Sequence, residues 1–160
     1  MRRLFPRSLS NAYPGSWAAV WLLVPVLVVK TVMGFNFSGL NPYVDVGEIL
    51  KTVDGVPLDT FSVEAGAAVI SSAHAWGAAL FVICLAVWLV LIRYREGLPL
   101  AILALLVEQV IRTGSAPFHA VFKVMTGGTA PHAGALINFG MTALLMLSFL
   151  LSLTATRRRD

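Results

Sequence analysis

Ala104-Leu105-Leu106-Val107-Glu108-Gln109-Val110-Ile111-Arg112 places a carboxylate and a guanidinium one helical turn apart inside an apolar run. Both charges are costly in hydrocarbon, so such groups turn toward a bundle interior or a polar cavity. The stretch that holds them, Leu98 to about Ala116, is the third of four apolar segments. The others run about Trp17 to Phe37, Val63 to Ile92 and Ala133 to Leu153. Each approaches or exceeds the roughly 20 residues that cross about 30 Å of hydrocarbon. The spacing predicts an all-α fold, an integral-membrane four-helix bundle forming one transmembrane domain over residues 1–160.

Composition points the same way. The chain is 58% hydrophobic and 12% charged, with a mean hydropathy of +0.80, whereas a soluble domain carries about a quarter charged residues. The lipid bilayer is therefore the expected surrounding. The net charge of +4 does not point to nucleic acid, because the basic residues flank apolar segments and form no basic stripe interleaved with aromatics. Cys84 is the single cysteine and lies in an apolar run, so no intrachain disulfide is expected and the thiol reads as a packed hydrophobe. The first segment is too long for a signal peptide and lacks a small-residue cleavage site.

Arginine sets the expected orientation. Arg2, Arg3 and Arg7 precede the first segment, Arg93 and Arg95 lie between the second and third, and Arg157, Arg158 and Arg159 follow the fourth. If the segments alternate, these eight share one side, against Lys51 and Lys123 on the other. The positive-inside rule then places both termini in the cytoplasm, in a bacterial inner membrane. The outer loops span about 38–62 and 117–132. The first is acidic, with Asp45, Glu48, Asp54, Asp59 and Glu64 against Lys51. Its Glu48–Val53 stretch reads as a short helix stopped by Gly55, or as a strand entering a hairpin at Asp54-Gly55. In the second, Phe118, Val121, Phe122 and Met125 follow helical spacing after Pro117, which predicts a short helix lying in the outer interface.

At a 1.5 Å rise per residue, Glu108 lies roughly 15 Å and Arg112 roughly 21 Å from Leu98, and Lys30 roughly 20 Å from Trp17. Lys30 thus comes within reach of Glu108 or Arg112. Ser71, with His74 and Ala78, forms a small polar stripe on the second segment. Asn138 and Thr142, with Gly134 and Ala135, form another on the fourth. Small and hydrogen-bonding residues are what helix interfaces in lipid use. These groups predict one polar core built from Glu108, Arg112, Lys30, Asn138, Thr142 and Ser71. It reads either as a structural clamp or as a site for a ligand, ion or proton.

His74, His119 and His132 all fall near the outer face, as interfacial residues or as ligands to haem or a metal. No His-Glu-x-x-His spacing, Gly-x-Ser-x-Gly elbow or Walker loop is present, so no catalytic residues are assigned. Trp17, Trp21, Trp76 and Trp88 suit interfacial anchoring or helix packing.

Two resemblances rest on these residues. The Asn41-Pro42-Tyr43-Val44-Asp45 loop, the Arg93-Tyr94-Arg95 turn and Leu105-Leu106-Val107-Glu108-Gln109-Val110-Ile111-Arg112 resemble small bacterial four-helix membrane proteins of uncharacterised families, which implies no activity. The layout with an outer histidine on the second and fourth segments is similar to one half of a haem A synthase. That resemblance implies haem held by His74 and His132, although Ala75 stands where that family commonly carries arginine. The expected function is a non-catalytic membrane protein binding a partner protein, a lipid or a small ligand through its polar core, with a membrane partner or a second copy as company. A haem-binding redox or haem-processing protein and a small proton-coupled carrier are the alternatives.

Overall fold

A computed structural model describes residues 10, 11, 13, 15–125 and 133–154; over 113–125 and at 133 and 135 it describes the backbone only. Helices dominate, and no strand occurs among the described residues. Helix α1 runs Trp17–Phe37, α2 Val46–Thr52, α3 Val63–Arg93, α4 Leu98–Met125 and α5 Ala133–Leu153. Among the described residues, α1, α3 and Leu136–Leu153 of α5 are long and apolar enough to cross a membrane. Short 3₁₀ turns at Leu58–Thr60 and Arg95–Gly97 complete the connections.

Local signals start and stop these elements. Ser16 caps α1 by accepting from the Ala18 N–H, and Ser62 caps α3 by accepting from the Ala65 N–H. Each satisfies an amide that the first helical turn leaves without an internal partner. In the acidic loop the helical alternative prevails. The Asp45 carboxylate accepts from the amides of Gly47 and Glu48 and so starts α2. Gly55, at φ +68°, takes the left-handed conformation just beyond it. Val46 and Leu50 then pack on Phe37, Ile70 and Trp76, closing the loop end of the molecule.

One expectation is corrected. The sequence breaks the third segment near Ala116 and starts a separate interfacial helix at Pro117, but the backbone of α4 continues through that position to Met125. Proline removes one backbone hydrogen bond, and neighbouring turns that keep theirs carry a long helix across the gap. Helix α1 likewise contains Pro25.

Helix α1 sits between α3 and α5, while α4 packs on α5 and α3. Along α1 the buried positions Leu23, Val26, Leu27, Lys30, Gly34 and Phe37 recur every three or four residues and form a single stripe. They meet Leu80, Cys84, Val87 and Leu91 of α3, Ile102 and Leu105 of α4, and Met141 and Leu145 of α5. The opposite faces leave Trp21, Val82, Ile92 and Ile111 exposed, as a lipid-facing surface requires.

The α1–α3 crossing is close because two glycines make it so. A Cβ added at Gly34 would stand 2.7 Å from the Phe81 backbone nitrogen, and one at Gly77 would stand 2.5 Å from the Ser38 nitrogen. Small residues let helix backbones approach in lipid, where packing has to supply what the hydrophobic effect supplies in water. Between α1 and α5, the buried Ser148 hydroxyl donates to the Ala19 carbonyl at 2.8 Å. Gly34→Leu and Gly77→Leu should each destabilise the detergent-solubilised protein by about 1–3 kcal/mol, the usual cost of overpacking. Gly140→Ala should cost nothing, since no atom lies within 4 Å of the added carbon. Thermal melts check this; a Gly77→Leu variant melting with the wild type would contradict the close crossing.

Candidate functional site

Glu108 is the hub of the polar interior. Its Oε2 accepts from the Lys30 ammonium of α1 at 2.5 Å. Its Oε1 accepts from the Trp76 indole N–H of α3 at 3.3 Å and lies 3.4 Å from Arg112 Nε, one turn along α4. Lys30 is wholly buried, which places its charge where only a partner within the protein compensates it. The stem of Lys30 reaches Glu108 because position 30 continues the buried stripe of α1.

Arg112 extends the network to α5. Its Nη2 donates to Asn138 Oδ1 at 2.7 Å and to Gln109 Oε1 at 3.1 Å. The guanidinium carbon lies 4.9 Å from the centre of the Trp76 ring, within cation–π range. The fully buried Gln109 returns its amide N–H to the Asn138 carbonyl at 3.2 Å. Lys30, Trp76, Glu108, Arg112 and Asn138 thus tie α1, α3, α4 and α5 through hydrogen bonds joined by the Glu108–Arg112 ion pair.

The charges of this set do not cancel by themselves. Lys30 and Arg112 bring two positive charges and Glu108 one negative. Asp54 of the acidic loop lies close enough to Arg112 to attract it electrostatically. The same loop is docked on the start of α5, where the Gly134 N–H donates to the Val53 carbonyl at 3.3 Å. A Cβ at Gly134 would stand 2.6 Å from Asp54 Oδ1, so glycine is what lets the carboxylate sit there. Further out in that loop, the Lys51 ammonium donates to Asp59 at 2.5 Å. That hydrogen bond holds Lys51 above the ordinary lysine range.

Of the residues that the sequence nominates, Lys30, Glu108, Arg112 and Asn138 come together. Thr142 lies one turn below Asn138 and donates to the Asn138 carbonyl at 2.8 Å, a bond within its own helix. Ser71 does not join the core and is exposed, as is Ala78 of the same stripe. The inward face of α3 follows Gly77, Leu80, Cys84, Val87 and Leu91, and Ser71 falls roughly 140° around the helix from Cys84 at 3.6 residues per turn. The His74 ring lies against the turn after α1, with Nδ1 2.5 Å from where a Gly39 side chain would begin. His132 and the side chain of His119 lie outside the described residues. Among the described residues, no cluster of three or more His, Cys, Asp or Glu forms a metal site.

Two members escape sequence reasoning. Trp76 reads as a packing or interfacial residue, yet it supplies both an N–H to Glu108 and a ring face to Arg112. Gln109 reads as one polar residue beside two charges. Its position next to Glu108 on α4 is a usable signal, because an amide in hydrocarbon also needs partners.

Comparison of the chain with protein-family models, with curated proteins and with solved structures finds no match in any of the three. Fold and site together define a helical protein with three apolar helices of membrane-crossing length, joined through a charged interior network. Asn138→Leu, which removes an acceptor from Arg112, should lower stability by about 1–3 kcal/mol, the cost of stranding a buried donor. Ser71→Ala, on the exposed face of α3, should leave the melting temperature unchanged. Equal melting of both variants with the wild type would remove Asn138 from the network.

Proposed function

We propose that the chain is a non-catalytic polytopic membrane protein in which α4 makes a fourth crossing beside α1, α3 and α5. Its polar core clamps the helices, and recognition of lipid or of a membrane partner falls to the surface. The observation that carries this reading is the use of both Glu108 oxygens: Oε2 is taken by Lys30, and Oε1 by Trp76 and Arg112. A carboxylate committed to three helices serves assembly better than turnover. The Lys30–Glu108 pair also supports the fourth crossing, because it sets the middle of α4 beside the buried stripe of α1. At 28 residues, α4 is about 42 Å long, more than the hydrocarbon thickness.

The arginine distribution supports a bacterial inner membrane with both termini cytoplasmic, the acidic loop and Lys51 on the outer side and the Arg93–Arg95 turn inside. A green fluorescent protein fused after Asp160 should then be fluorescent, and alkaline phosphatase at the same place inactive. The opposite pair of results overturns the orientation.

The clamp makes an ordered prediction. Glu108→Gln leaves Lys30 and Arg112 facing each other without their shared counter-charge. Breaking a buried pair from one side costs about 3–5 kcal/mol. Lys30→Met should cost less, because Glu108 keeps Arg112 and Trp76. Detergent melts of the two variants check the order, and a Glu108→Gln protein as stable as the wild type overturns the clamp. Proton-linked flux by the wild type above that of empty liposomes would favour the carrier alternative.

A further inference from the structure

The end of the molecule opposite the acidic loop carries a second feature. A groove of about 540 Å³ is lined by Asn11, Leu89, Ile92, Arg93 and Tyr94, where α3 ends and the Arg95–Gly97 turn begins. Its floor is apolar: Leu89 is 55% and Ile92 65% exposed. The floor continues along the same face of α3 through Leu85 and Val82, also exposed. Positions 82, 85, 89 and 92 are spaced three and four apart, so they form one unbroken track along the helix.

The rim of the groove is cationic. Three arginines have described side chains, and two of them are engaged. Arg112 belongs to the core network. Arg95 donates from Nε to the Leu91 carbonyl at 3.0 Å and lies over the Trp17 ring at 5.5 Å. Arg93 is exposed and makes no hydrogen bond or ion pair among the described residues. Among the described residues, no carboxylate lines the groove. Glu96, three residues on, is occupied: its Oε2 accepts from the Ser10 N–H at 3.2 Å and from the Ser10 hydroxyl at 2.6 Å.

We infer that this groove binds one glycerophospholipid whose headgroup carries net negative charge. The Arg93 guanidinium takes the phosphate, Asn11 and Tyr94 offer an amide and a phenol to the polar headgroup, and an acyl chain lies along Ile92, Leu89, Leu85 and Val82. Depth agrees with this placement. Helix α3 has 31 residues and is about 46 Å long, so its last turn reaches the headgroup layer of a bilayer with a 30 Å core. Net charge selects the class of lipid. Any phospholipid offers the guanidinium a phosphate for a bidentate fork, but the ammonium of a zwitterionic headgroup adds a second cation beside Arg93 and meets no carboxylate among the described lining residues. The inference rests on the membrane reading above and is independent of the Glu108 clamp.

Native mass spectrometry of the detergent-purified full chain tests it, with added phosphatidylglycerol and, separately, phosphatidylethanolamine. The wild type should retain one phosphatidylglycerol at least roughly tenfold more strongly than phosphatidylethanolamine, because both offer a phosphate but only the second brings an ammonium beside Arg93, and about 1.4 kcal/mol of difference is tenfold. Arg93→Gln should abolish that preference with an unchanged melting temperature, since the side chain is exposed. Arg93→Lys should keep part of it. Leu89→Ser should weaken both lipids alike by loss of the acyl contact. Equal retention of the two lipids by the wild type, or an undiminished preference in Arg93→Gln, overturns the inference. Glu108→Gln serves as the independent arm: loss of its stability with lipid preference intact separates the clamp from the groove. A wild type that stays in solution without detergent overturns the membrane reading and this site together.

Discussion

Glu108 is a carboxylate in a mostly apolar interior, and the long helices meet on the terms it sets. An ionised carboxylate removed from water needs several donors, and no single helix supplies them. Lys30 comes from α1, Trp76 from α3 and Arg112 from α4 itself. Rotating any of these helices by a residue would strand at least one charge. The apolar contacts tolerate exchange of one aliphatic side chain for another, but the pairing of these charges does not. The network therefore selects one arrangement among the many that greasy surfaces would accept.

Other features of the fold are consistent with that constraint. Gly34 and Gly77 let α1 and α3 approach closely, and Trp76, beside Gly77, reaches both Glu108 and Arg112 of α4. Asn138 and Gln109 bind Arg112 and each other, so α5 is held by amides that would otherwise lack partners. The acidic loop then contributes beyond its own short helix: Val53 and Asp54 dock at the start of α5, and the Asp54 charge lies near Arg112. Two cations and two carboxylates thus lie along a path from the interior to the loop. At the other end, Ser10, Glu96, Arg95 and Trp17 hold the turn against the start of α1 and leave Arg93 to face outward.

Much of this was legible in the residues. A carboxylate and a guanidinium four apart in an apolar run announce an inward face, and Lys30 is close enough in depth to be their partner. Asn138 follows from the same logic of small and amide residues at a helix interface. Ser71 shows where the logic stops. Polar and small residues mark an interface only when the helix is turned toward it, and α3 is turned by Gly77, Leu80 and Cys84 instead. Pro117 shows a second limit, because a proline weakens a helix locally without deciding whether the flanking turns hold. Trp76 shows a third: an indole reads as apolar in a sequence although it carries a donor.

Composition and periodicity determined that the chain is helical, that it carries apolar segments long enough to cross a membrane, and that charges at positions 30, 108 and 112 need one another. These properties follow from local spacing and from the cost of leaving polar groups in hydrocarbon, both of which a linear string records. The tertiary structure alone decided which donors complete the Glu108 carboxylate, that Ser71 stands outside the core, and that α4 continues past Pro117. It also decided that Arg93, of the described arginines, is left unpaired over an apolar groove. Each of these depends on the rotation of one helix about its axis relative to its neighbours. That rotation is fixed by close contacts between residues far apart in the chain, and spacing within one segment does not encode it.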